Sequence, residues 1–101
     1  MSNFDDLPLH DAVMSQVIVD WKAREVCIHV KPNQIVGLVA GDWVVKFSLF
    51  SQVNVPRMEP WGVSLFVNTL KADGSRYEIE MQSGDTIVVL AEKFSFDALA
   101  S

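Results

Sequence analysis

The apolar residues of this chain recur at every second position over most of its length, which is the pattern of strands with one buried face. The alternation is clearest in residues 25–31, 43–49 and 76–82. Residues 86–92 are almost continuously apolar, as expected of a strand covered on both faces. No window combines three-to-four spacing with helix caps, so we predict at most one short turn, within 94–101.

Turn residues separate the predicted strands. Gly74 follows an aspartate and Gly84 lies between a serine and an aspartate, both common in tight turns. Further strands are predicted at 13–20 and 62–70, with an optional short one at 34–40. We therefore predict an all-β fold of six to seven antiparallel strands with little or no helix, arranged as a compact sandwich or a partly open barrel.

The length of 101 residues predicts a single domain spanning 1–101. Hydrophobic residues make up 50% of the chain, enough for an ordinary apolar core without disulfide support. The predicted core is the inward face of the alternating strands and comprises Val26, Ile28, Val30, Trp43, Val45, Phe47, Leu49, Val67, Tyr77, Ile79, Met81, Ile87 and Val89.

Charge and hydropathy narrow the possible partners. The net charge is −5, and the chain lacks the clustered cations that neutralise phosphates, so we expect no nucleic-acid binding. Apolar runs of about five residues are far shorter than the roughly 20 that span a membrane, so we expect no membrane insertion. The start of the chain is acidic rather than basic, which is unlike a secretory signal, and we expect a cytoplasmic protein.

The sequence offers few residues for catalysis or metal binding. Cys27 and His29 share one face of a predicted strand, but the alternation makes a packed or exposed structural pair the simpler interpretation. With one cysteine and two histidines, the chain has no zinc-type ligand spacing. It also has no glycine-rich phosphate loop. We therefore predict no catalytic residues, no metal site, no cofactor and no enzymatic activity.

Five residues are candidates for binding a partner. Trp61 directly follows Pro60 in a loop that carries two prolines, and it either anchors an interface or folds back to plug one end of the barrel. Asp5 and Asp6 belong to the first 20 residues, which hold four acidic and no basic side chains. His10 and Asp11 are adjacent, and either could instead bond backbone at the entry to the first strand. The acidic surface predicts a basic protein partner, if the chain binds one.

Three segments resemble a group of small bacterial proteins of unknown function: Leu-His-Asp-Ala at 9–12, Glu-Pro-Trp-Gly at 59–62 and Ile-Glu-Met-Gln-Ser-Gly-Asp at 79–85. Some proteins of that group are similar to immunity proteins of bacterial toxin systems. The resemblance implies one β-rich domain and carries no catalytic assignment.

These observations favour a non-catalytic binding module, of an immunity type if the resemblance holds. Two alternatives stay open. A small β-barrel can hold a ligand or run a reaction at its mouth. A β-sheet with exposed edge strands can also form a structural homodimer.

Overall fold

Six antiparallel strands form one sheet in the computed structural model, which describes residues 3–32 and 41–99. A 3₁₀ turn at Phe4–Asp6 precedes them and is the only helical element of these residues. The spatial order of the strands is β1-β2-β3-β6-β5-β4. Their bounds are β1 Val13–Asp20, β2 Glu25–Lys31, β3 Trp43–Asn54, β4 Val67–Asp73, β5 Arg76–Met81 and β6 Thr86–Ala98.

The sheet curls until its two edge strands, β1 and β4, approach each other at one end. Val13 forms a single bridge with Phe66. The N–H of Met14 donates to the oxygen of Leu65 at 2.9 Å, and the N–H of Val67 donates to Ala12 at 2.9 Å. Beyond these contacts the edges separate, so the sheet is not closed into a barrel. The all-β, antiparallel fold with almost no helix is therefore confirmed.

The core lies on the concave side of the sheet and contains most of the predicted residues. Leu49 is an exception, with 38% of its surface exposed and a backbone φ of 57°. The register between β3 and β6 shifts between Phe50 and Gln52, so the alternation breaks and Phe50 turns inward instead. Trp43 is half-buried and stacks on Phe96 with ring centroids 4.7 Å apart.

The segment before β1 completes the core, which the strand pattern did not predict. Phe4 is buried among three aromatic rings at the open side of the sheet, with centroid distances of 5.8 Å to Phe47, 5.1 Å to Tyr77 and 5.3 Å to Phe94. The other buried apolar residues of this segment are Leu7, Leu9 and Ala12.

Two predicted boundaries are wrong. Residues 94–98 continue β6 rather than forming a turn, because β6 stays paired with β3 as far as Trp43–Ala98. Residues 62–66 are loop, with only the bridge at Phe66, because the backbone is bonded to the β5–β6 turn and to the end of the N-terminal segment instead. The optional strand at 34–40 lies outside the described residues. Among the residues described, no helix has the length and apolar character needed to cross a membrane.

Candidate functional site

The loop of residues 55–66, between β3 and β4, presents large apolar side chains to solvent. Met58 is 84% exposed, Trp61 78% and Val63 69%. We call these three side chains the Trp61 patch. Trp61 does not plug the barrel, so the structure decides between the two placements that the sequence left open. Several large exposed apolar side chains on one ordered loop are typical of contact surfaces.

A buried carboxylate holds this loop against the turn between β5 and β6. Asp85 is almost fully buried and accepts hydrogen bonds from the backbone N–H groups of Met58 at 2.8 Å and Glu59 at 2.9 Å. The hydroxyl of Ser83 donates to the same carboxylate at 2.9 Å. The carboxylate therefore satisfies two loop N–H groups that have no strand partner.

The environment of Asp85 favours its charged form. Burial by itself raises the pKa of Asp85, but the N–H groups of Met58 and Glu59 and the hydroxyls of Ser83 and Ser64 together outweigh it. The net effect is a pKa below the ordinary value for aspartate. The loop is thus anchored by a carboxylate that stays ionised at neutral pH.

Gly84 allows the Trp61 ring to lie against the β5–β6 turn. Its φ is 94°, and a Cβ at this position would come within 2.8 Å of the indole ring and 3.0 Å of the Pro60 ring. The N–H of Trp61 also donates to the carbonyl of Ser83 at 3.0 Å. The backbone of Trp61 is therefore held, while most of its indole remains in solvent.

Glu59 adds a second anchor within the loop. Its carboxylate accepts a hydrogen bond from the N–H of Ser64 at 2.7 Å and lies 3.4 Å from Nε of Arg57. Glu59 also has a φ of 55°, a conformation that costs energy for a residue with a Cβ. These contacts present the Trp61 patch from a loop with a defined backbone.

Asp11 contacts the same β5–β6 turn, and His10 contacts β4. Asp11 accepts a hydrogen bond from the side-chain amide of Gln82. Nδ1 of His10 lies 2.7 Å from the carbonyl oxygen of Asn68 on β4, so its backbone partner is remote in sequence rather than local. Nε2 of His10 is 3.6 Å from Asp11, within ion-pair distance when the ring is protonated.

Asp5 is placed elsewhere and has a structural contact. Its carboxylate accepts a hydrogen bond from the N–H of Ala72 at 3.0 Å, near the far end of β4. Ala72 is about 17 Å along the strand from Val67, where Asp11 bonds the backbone. Asp6 is exposed in the 3₁₀ turn. Asp5 and His10 line the same groove beside β4, whereas Asp11 and Trp61 both contact the β5–β6 turn, at Gln82 and at Ser83 respectively.

The sequence analysis missed Asp85 and its role. Ser83-Gly84-Asp85 reads as an ordinary turn, and an aspartate in a turn is usually solvent-exposed. The available signal was the loop of 55–62, which contains two prolines and no strand pattern, so its N–H groups needed acceptors from elsewhere. Nothing in the pattern identified which carboxylate supplies them.

Cys27 and His29 share the convex face of the sheet and are both half-buried. Burial raises the pKa of the Cys27 thiol, and the neighbouring Glu25 carboxylate raises it further, while Lys46 acts in the opposite direction. Lys46 itself is paired with Glu25 at 2.7 Å. No group of three or more His, Cys, Asp or Glu side chains in the described parts of the chain could hold a metal ion.

We expect Cys27 to react slowly with alkylating reagents, because a raised pKa leaves little thiolate near neutral pH. Iodoacetamide at pH 7 should modify it more slowly than free cysteine, as followed by intact mass. Unfolding in denaturant should restore the ordinary rate and serves as the control. Rapid stoichiometric alkylation of the folded protein would instead reveal an activated nucleophile.

The comparisons with known proteins support the fold. No protein-family model matches the chain. No curated protein matches it either. The chain is similar to a solved structure described as an uncharacterised protein from Neisseria gonorrhoeae, with 14% identity and a TM-score of 0.58, over 89% of this chain and 93% of that one. At this identity the similarity concerns the arrangement of strands alone.

Proposed function

We propose that this protein is a non-catalytic binding module that contacts a protein partner through the Trp61 patch. The observation that carries the proposal is an exposed Met58, Trp61 and Val63 on a loop held by buried Asp85. A pre-ordered loop loses little entropy on binding, so its apolar side chains contribute more fully to affinity. The large indole is a common anchor residue at protein interfaces.

The charge distribution supports a basic partner. The net charge is −5, and Asp11 contacts Gln82 in the β5–β6 turn, the turn whose Ser83 bonds the backbone of Trp61. Negative potential around an apolar centre speeds encounter with a positive surface. The sequence segments shared with small bacterial proteins, some of which are similar to immunity proteins, fit this proposal, since an acidic inhibitor would suit a basic toxin. The small-ligand or enzymatic alternative remains a hypothesis.

Trp61→Ala should weaken binding to the partner by at least about 30-fold, mainly by faster dissociation, because a buried aromatic anchor controls the lifetime of a complex. The experiment captures partners from a bacterial lysate on immobilised wild-type protein and on the variant, followed by surface kinetics with each captured protein. Leu99→Ala is the control, since Leu99 is also an exposed apolar residue, at 37%, but lies just after β6 and outside the loop.

The proposal fails if every protein that the wild type retains is retained equally by the Trp61→Ala variant.

The expectation of a basic partner is tested separately, by the salt dependence of association. Association should slow as the ionic strength rises from about 0.01 M to 0.15 M, where the Debye length falls from about 30 Å to about 8 Å. An association rate that does not change with salt would exclude a basic partner while leaving the apolar contact in place.

A further inference from the structure

The two edge strands of the sheet, β1 and β4, differ in how much of their outer edge is hydrogen-bonded. The edge of β4 is covered by the N-terminal segment: the N–H of Ala72 donates to the Asp5 carboxylate, and the N–H of Asp11 donates to the carbonyl of Val67. Among residues 3–32 and 41–99, the edge of β1 is bonded only at its start, where Val13 and Met14 meet the loop. In the part of the chain that the structure describes, residues 16–20 pair with β2 alone. Alternate residues of this stretch therefore direct N–H and C=O groups outward.

This open edge lacks the usual features that prevent strand pairing. Residues 16–20 contain no lysine and no proline, and their only charge is Asp20. Ile18 and Val19 are each 44% exposed. An apolar edge with a single charge at its end favours addition of another strand.

The regular part of the edge is self-complementary. A bulge between Met14 and Gln16 interrupts pairing, which leaves five regular residues, 16–20, centred on Ile18. In an antiparallel pair of identical strands related by a two-fold axis perpendicular to the sheet, one residue must face its own copy. If that residue is Ile18, Gln16 faces Asp20 of the other copy. The amide can then donate to the carboxylate, and no like charges meet.

The same register places an exposed indole beside an open groove. Trp21 follows the paired stretch directly and would lie opposite residue 15 of the other copy, where the bulge begins. A groove of about 190 Å³ adjoins that position, and its lining residues are Met14, Ser15, Gln16 and Val17 of β1, Val55, Pro56, Arg57 and Ser64 of the loop, and Ile87 of β6. Val17 and Val19 face the concave side of the sheet together with the groove. Trp21 lies in the β1–β2 turn, where its indole packs edge-on against Phe50 of its own chain with ring centroids 6.3 Å apart, so the ring must turn from Phe50 to enter the groove.

We propose that this chain forms a two-fold symmetric dimer in which β1 strands pair antiparallel about Ile18 and Trp21 of each copy packs into the groove of the other. The bridge between Val13 and Phe66 limits the pairing to the residues after the bulge. This interface uses different residues from the Trp61 patch, so it does not depend on the function proposed above.

Sedimentation analysis of the wild type over a concentration series should show a dimer at about 100 μM. Ile18→Lys should raise the dissociation constant at least about 100-fold, because two like charges would face each other across the two-fold axis. Ile18→Glu should do the same. An equimolar mixture of these two variants should dimerise again, because opposite charges would then meet. This recovery is expected only if Ile18 faces its own copy.

Two further variants keep the test independent of folding defects. Trp21→Ala should weaken the dimer at least about 30-fold, since it removes the group assigned to the groove. Val63→Lys changes an exposed residue of the Trp61 patch and should leave the dimer intact. Circular dichroism melts show whether each variant folds. A wild type that stays monomeric at about 100 μM overturns the proposal. So does a dimer that survives Ile18→Lys or that Val63→Lys disrupts.

Discussion

Replacing Phe47 with alanine should lower the free energy of unfolding by about 3–5 kcal/mol. Phe47 is fully buried and packs against Phe4 and Tyr77 with centroid distances of 5.8 and 5.1 Å. The substitution removes apolar area and leaves a cavity that the surrounding sheet cannot close. The loss is a large part of the stability expected for a domain of this size.

Chemical denaturation followed by far-UV circular dichroism measures this effect. Phe66→Ala is the matched control, because Phe66 is 41% exposed and should cost much less when truncated. A Phe47→Ala protein with an unchanged unfolding midpoint would mean that the aromatic cluster around Phe4 does not carry the core. The fold described above would then need revision.

Asp85→Asn should release the loop of 55–66 from the β5–β6 turn. Each oxygen of the Asp85 carboxylate accepts a hydrogen bond from one backbone N–H, of Met58 or of Glu59. Asparagine has the same size, but its NH₂ group replaces one of these oxygens and would face an N–H donor. Arg57 lies in this loop and is a cleavage site for trypsin. We expect cleavage after Arg57 to become at least about tenfold faster, because local opening exposes the backbone. Asp6→Asn, at an exposed position, should leave the rate unchanged.

The stability gap between wild type and Asp85→Asn should depend on pH. The pKa of Asp85 is lowered in the folded protein, so the carboxylate stabilises the fold above the ordinary aspartate pKa of about 3.9. This contribution is lost as the pH falls through the lower folded-state pKa. Denaturation midpoints should therefore differ by a constant amount between about pH 5 and 7 and converge below about pH 4. A gap that widens in acid would show that Asp85 is not held in its charged form.

The strands could be predicted because alternation at Val26, Ile28 and Val30 and at Tyr77, Ile79 and Met81 reports directly which face is buried. The exposure of Leu49 could not be predicted, because it follows from a shift in the register between β3 and β6. That shift depends on how the two strands pair. Phe94 and Phe96 alternate with polar residues, as in a strand, but this short pattern forms a strand only because β3 pairs with it. The local sequence pattern therefore predicted where the strands lie, whereas pairing with neighbouring strands determined where they end.

The candidate site was harder to predict because its contacts join distant parts of the chain. Trp61 was recognised from its loop, yet its exposure depends on Gly84 and Asp85, more than 20 residues later. Asp5 was interpreted as part of an acidic recognition surface, whereas its carboxylate caps the edge of β4. An acidic residue in a sequence carries no sign of whether it faces a partner or a backbone N–H.

The N-terminal segment has a consequence for how the protein is made. A ribosome synthesises Phe4 before any of the three rings that bury it, and the bond from Asp5 to Ala72 spans 67 positions. At ordinary translation rates this interval lasts roughly 3–13 s, far longer than local collapse. The nascent chain therefore carries an unburied apolar segment until β5 and β6 have followed β4, and the edge of β4 stays open until that segment returns to it. Chaperone binding during synthesis should concentrate on these first residues.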